Sequence, residues 1–218
     1  MGISGINPIY LVIGLAILGL APFLLMLVTS YVKIVVVTSL IRNALGVQQI
    51  PPTMVMNGLA IILTVFIMAP AFTDTLRLVE QQQISGTSSP GDVIQAMQNC
   101  SPPLRKFLGD NTSSAILNAF MGTAQRVWPE GMKSEITSDN LLILVPAFTI
   151  TELTRAFQMG FLLYLPFVAI DLIISNILLA MGMMMVSPMT ISLPFKLLLF
   201  VTLDGWLKIS QGLLLSYH

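Results

Sequence analysis

Two long runs of this chain carry no charge at all. One extends from Pro8 to Val32 and the other from Asn43 to Thr73. A helix needs about 20 apolar residues to cross roughly 30 Å of hydrocarbon, so each run is long enough to span a bilayer. The whole chain is 9% charged and 55% hydrophobic, against about 25% charged for an ordinary soluble domain. Such a chain cannot cover a soluble surface. Disorder is excluded because it needs low hydrophobicity and high net charge. A nucleic-acid binder is excluded by the formal net charge of zero and the absence of any Lys/Arg run. An integral membrane protein is the reading that remains.

The charges are unevenly placed. Twelve of the twenty lie between Asp74 and Asp139, and the rest are Lys33, Arg42, Glu152, Arg155, Asp171, Lys196, Asp204 and Lys208. The pattern predicts an all-α, membrane-associated chain of kinked helical hairpins. An N-terminal apolar hairpin covers 1–73, a small polar region of helices and loops 74–139, and a C-terminal apolar hairpin 140–218. In the first hairpin an arm ends near Ile41, a tip runs from Arg42 to Thr53, and a second arm runs from Met54 to Phe72. Gly46, Pro51 and Pro52 break the helix there. In the middle, QQQISGTSSPG reads as a linker, with short amphipathic pieces over Asp92–Gln98 and Ala115–Val127. The stretch Leu141–Ala180 would be about 60 Å long as one helix, more than a bilayer, so kinks are expected at Pro146 and Pro166. A second tip, AMGMMMVSPMT, follows. Gly46 precedes Pro52 by the same spacing as Gly182 precedes Pro188, which suggests two related hairpins. Lys33 and Arg42 put the first tip in the cytoplasm by the positive-inside rule, and the polar middle, with five basic and seven acidic residues, outside.

The second tip is the most informative feature. Met183, Met184 and Met185 sit beside Gly182 and Pro188, and no charge lies between Asp171 and Lys196. An uncharged loop is not an ordinary solvated loop, and irregular backbone at membrane depth belongs in protein or at a pore. Flexible apolar thioethers could close a pore to water and yet deform around a passing chain. Gap-filling in a helix core and copper(I) binding are the competing readings; no His or Cys lies near to help hold a metal.

Glu152, Arg155 and Asp171 interrupt the long apolar stretch. Facing lipid, each would cost roughly 2.5–3.5 kcal/mol at the bilayer centre. Glu152 and Arg155 share a helical face and could pair, and Thr149 with Glu152 fits a capping box. These charges read either as a proton or ion relay or as salt bridges inside a protein-lined environment. Lys33 and Arg42 read as interfacial snorkelling anchors, and Asp204 with Lys208 as a pair at an interface or subunit contact. Lone Cys100 reads as a filler residue and His218 as exposed and inert. The N-terminus has no basic region and no cleavage site, so no removable signal peptide is expected. No Walker loop, H-E-x-x-H, CxxC or triad occurs, so no enzyme activity and no cofactor are expected.

The blocks TSYVKIVVVTSLIRNALGVQQIPP (29–52), GLAIILTVFIMAPAF (58–72) and the run from Leu144 to Trp206 containing LLAMGMMMVSP resemble the FliP/SctR family, core export-apparatus proteins of bacterial type III secretion. Asn43 and Ser187-Pro188 are more similar to injectisome members than to flagellar ones. The resemblance implies a homo-oligomer, a pentamer, joined by SctS/FliQ-type and SctT/FliR-type subunits and working with SctU/FlhB-type and SctV/FlhA-type components. It implies a helical cone in the bacterial inner membrane, much of it on the periplasmic side, that passes unfolded secreted proteins. It places the methionine gasket at Met183, Met184 and Met185. Scarce charge then means surface buried against sister subunits as much as surface in lipid. An ion-coupled secondary transporter using intramembrane carboxylates and a pure assembly scaffold stand as alternatives.

Overall fold

The computed structural model describes residues 15, 19–20, 22–23, 25–47, 50–81 and 99–217, and among them there are helices and turns but no strand. Among the described residues the helices with defined bounds are, in order, α1 (Tyr31–Ala44), α2 (Thr53–Gln81), α3 (Pro102–Asp110), α4 (Ser114–Val127), α5 (Leu141–Ala180), α6 (Pro188–Thr202) and α7 (Gly205–Leu215). A 3₁₀ turn over Glu130–Glu135 leads from α4 towards α5. The piece expected over Asp92–Gln98, the linker from residue 82 and His218 lie outside the described residues.

α1 is the centre of the fold. Ile34, Val37, Ile41 and Ala44 recur at three- and four-residue steps, so they form one apolar stripe. That stripe packs on α5 and α2, and Ala60, Leu63, Ala156, Phe167, Phe200 and Leu213 complete the cluster. Gly160 of α5 lets the two backbones approach: a Cβ there would fall 2.3 Å from Leu40 Cδ1. A smaller cluster of Leu108, Leu144 and Phe148 seats α3 on the first turns of α5.

The charge-free first arm is not one helix. A turn at Val28–Ser30 separates the helical residues before it from α1. α2 also continues past Phe72 to Gln81, because Asp74 and Arg77 suit a helix surface and pair at 3.4 Å. Pro70 is carried inside α2. α5 is a single 40-residue helix that carries Pro146 and Pro166 inside it without ending. Its N-cap is Asn140, whose side chain accepts from the Leu142 N–H at 2.9 Å. Thr149 lies in the third turn of α5 and donates to the Val145 carbonyl at 2.9 Å, so the capping box expected there does not form. Buried hydroxyls in the apolar helices are satisfied the same way: Thr38, Thr64 and Thr151 each donate to the carbonyl four residues back, at 2.7 Å.

α2 and α5 are long and apolar enough to cross a membrane, and α6 with α7, bent by 59° at their junction, forms a third candidate. The two tips have similar local form. Gly46 (φ 77°) ends α1 and Gly182 (φ 74°) ends α5, each in the left-handed region where a Cβ would be strained. Pro52 leads into α2, its carbonyl accepting from the Val55 and Met56 N–H groups, and Pro188 is the first residue of α6.

Candidate functional site: a methionine tip above two ion pairs

The chain between α5 and α6 presents methionines and nothing charged. Gly182 turns the backbone, and the Met183 N–H closes on the Leu178 carbonyl at 2.9 Å, a Schellman-type end. Met184 is 82% exposed and Met185 fully exposed, with Met181, Met183 and Met189 also exposed. Thioethers have no donor and only a weak acceptor. In one copy of the chain this tip therefore presents flexible apolar surface rather than a polar site. No group of three or more His, Cys, Asp or Glu that could hold a metal occurs among the described residues.

Two ion pairs, one partly and one fully buried, hold the helices below the tip. Nearer to it, Asp171 of α5 accepts from Lys196 Nζ at 2.6 Å and from Ser192 Oγ at 2.6 Å, both on α6. Lys196 also donates to the Ala44 carbonyl at 3.0 Å, in the last turn of α1. A cation there answers both an orphan carbonyl and the negative end of the helix dipole. Lys196 thus staples the two arms of the methionine hairpin and ties them to the first tip, where Leu193 Cδ1 lies 3.7 Å from the position of a Gly46 Cβ.

Farther from the tip, Lys33 Nζ of α1 lies 3.1 Å from Glu152 Oε1 of α5, and both side chains are 0% exposed. The snorkelling expected of Lys33 is therefore replaced by burial at the α1–α5 contact. Arg155 Nη1 lies 3.5 Å from the same carboxylate oxygen and donates to the Asn111 carbonyl at 2.8 Å. Lys33 donates to Ser216 Oγ at 3.2 Å and sits 3.7 Å above the Tyr217 ring centroid. The Tyr217 hydroxyl donates to Glu152 Oε2. Burial, then the adjacent carboxylate, push that hydroxyl far above its ordinary pKa, so it remains a donor. The cluster binds α1, α5, the α3–α4 junction and the residues after α7 into one unit.

The other sequence candidates lie apart. Arg42 Nη1 donates to Thr53 Oγ1 at 3.0 Å, across the first tip. Asp204 and Lys208 are both exposed. Their side chains form no ion pair among the described residues; the Lys208 N–H bonds the Asp204 carbonyl at 3.0 Å instead. Sequence reasoning assigned no role to Lys196, Ser192, Ser216 or Tyr217. For Lys196 a signal was present: a lone cation in an apolar arm needs a partner, and Asp171, unlike Glu152 with Arg155 one turn away, had no cation near it in sequence.

Comparison with known proteins supplies the context for this geometry. The FliP family profile matches residues 14–213. "Yop proteins translocation protein R" of Yersinia pestis is 52% identical over 211 residues, covering 97% of each chain. "Virulence protein YscR" of Salmonella typhimurium is 48% identical over 200 residues, covering 92% of each. "Hypersensitivity response secretion protein HrcR" of Ralstonia nicotianae is 46% identical over 202 residues, covering 92% of this chain and 93% of that one. A match of this length, with relatives about half identical over nearly their whole chains, means that the chain belongs to the FliP family.

Proposed function

We propose that this chain is a non-enzymatic pore and gate subunit of an injectisome-type type III export apparatus in the bacterial inner membrane. Five copies close a helical cone with SctS/FliQ-type and SctT/FliR-type subunits, much of it on the periplasmic side. In this reading the chain is organised as an apolar hairpin over 1–73, whose second helix runs on to Gln81, an extracytoplasmic region over 74–139 and a gate hairpin over 140–218. Unfolded proteins delivered by SctU/FlhB-type and SctV/FlhA-type components are its substrates. Met183, Met184 and Met185 are the gasket.

The observation that carries this reading is the exposed tip itself, in a chain of this family. Met184 and Met185 have no cover among the described residues, and the tip has no charge with which to be solvated. Converging copies would bury these side chains against one another and exclude water and ions, while thioether flexibility would admit a passing chain. The carboxylates that a transporter would use, Glu152 and Asp171, are each engaged by a cation, which favours a structural role for them.

The test replaces Met183, Met184 and Met185 with Ala and measures ion leakage across the inner membrane together with protein secretion. Leakage is expected to rise. Unchanged conductance with unchanged secretion removes the gasket role. Crosslinking through Met184→Cys, with Cys100→Ala as background, separates a gate from a scaffold: adjacent copies crosslink around a closed ring only in the gate.

A further inference from the structure

We propose that the elbow at Asp204–Gly205 and the side chain of Tyr217 form a strap that holds the outer arm of the methionine hairpin in the closed position. This rests on the gate reading above and assigns a task to residues that reading leaves idle. The arm in question is α6, which descends from the tip and turns into α7 at 59°.

The elbow is built, not slack. Asp204 has φ 51° and is the non-glycine residue found in the left-handed region among the described residues. Asp tolerates that conformation better than most residues. Gly205 follows, and a Cβ on it would lie 2.4 Å from the Phe200 ring. The same ring meets Trp206 edge-on at 5.2 Å and 83°. The glycine therefore permits a tight turn that the two aromatic rings then fill, and the angle between α6 and α7 is fixed by packing.

That angle returns the chain to the lower ion pair. There the Tyr217 ring touches three elements at once. Lys33 of α1 lies over one face, and Phe107 of α3 stacks on the ring at 5.9 Å with planes 16° apart. The Tyr217 hydroxyl reaches Glu152 of α5. Ser216 adds its bond from Lys33, and Arg155 completes the charged groups that face the ring's carboxylate partner. α5 is fixed to α1 around Glu152, Ala156 and Gly160. α6 is stapled by Lys196 near the tip and secured through α7 by Tyr217 at the far end. Loosening the strap would leave the staple alone to set where the outer arm stands.

Two variants test this in assembled complexes in native membranes. Tyr217→Leu keeps apolar bulk and removes the hydroxyl and the cation–π face. Gly205→Ala opens the elbow and leaves the ion pair untouched. Both are expected to give complexes of unchanged mass with raised ion leakage; for Tyr217→Leu the rise is on the order of tenfold, which corresponds to losing one charge-assisted hydrogen bond. Wild-type leakage and secretion in normally assembled complexes of either variant overturns the strap. Failure of both to assemble overturns it too, since the residues would then serve folding alone. The Met183–Met185 alanine variant in the same membranes separates the two proposals. If it does not leak, the gate reading fails; if it leaks and the strap variants do not, only the strap fails.

Discussion

Glu152→Gln is the most informative single change to the buried scaffold. Gln has nearly the same volume and keeps an oxygen for the Tyr217 hydroxyl, so packing is conserved and only charge is lost. At 3.1 Å and an effective dielectric constant of about 20, the Lys33–Glu152 attraction is about 5 kcal/mol. The cost of dehydrating Lys33 is still borne in the variant, because its side chain is 0% exposed. Breaking a buried pair from one side typically costs about 3–5 kcal/mol. Arg155, 36% exposed, adds at most a few tenths, since water screens it. Unfolding by urea in detergent, followed by Trp128 and Trp206 fluorescence, measures the loss. For a chain of this size the thermal midpoint should fall by roughly 6–20 °C. The companion variant Lys33→Met/Glu152→Leu/Tyr217→Phe removes both fully buried charges and the phenol together and should recover most of the stability, because Arg155, which remains, reaches water and keeps the Asn111 carbonyl. A loss below about 1 kcal/mol for Glu152→Gln, or a triple variant no more stable than the single one, would refute the reasoning.

Three further changes follow from packing. Gly160→Ala places a methyl 2.3 Å from Leu40 Cδ1 and 3.2 Å from Leu40 Cβ, so α1 and α5 must separate; a loss of about 1–3 kcal/mol in the same unfolding assay is expected. Lys196→Met leaves the Ala44 carbonyl and Asp171 without their cation. Since Asp171 is 34% exposed, water softens the loss to about 1–2 kcal/mol, read as a lower yield of intact complex after detergent extraction. Gly182→Ala has open space around its Cβ but a φ of 74°, so it should cost about 1 kcal/mol of strain at the tip alone and leave the lower ion pairs intact, as proteolysis confined to the tip would show.

The hydropathy of the chain made its helices legible, and its breakers made the tips legible, because both signals are local. Gly46 and Gly182 announce the left-handed residue after a helix, and Pro188 announces the first turn of the next one. The errors arose where two local rules competed or where the answer was not local. Thr149 with Glu152 satisfies the capping pattern, but the apolar run had already begun at Leu141 behind Asn140, the better cap. The charges after Phe72 looked like the end of an arm, yet helices end through caps and breakers and not through charge, and none intervenes before Gln81. Lys33 looked like an anchor because its partner Glu152 lies far along the chain, and no periodicity connects them. Tyr217 could be placed only once α7 was seen to turn back.

The distribution of polar groups explains why a chain so poor in charge spends several of its charges where water cannot reach. An apolar contact is non-directional: α1 could slide along α5 by a turn and still bury Ile34, Val37 and Ile41 against something apolar. Lys33 and Glu152 do not allow that, since a one-turn slip of about 5.4 Å would leave both unpaired in the interior. Lys196 applies the same constraint between α6, α5 and the end of α1. The two ion pairs therefore fix the axial register of the helices at two heights, and the methionine tip projects from the upper one. If the tip is the proposed gate, its flexible side chains can close a pore reproducibly only when the helices beneath it cannot slip, and in this fold paired charge, not hydrophobicity, supplies that fixity.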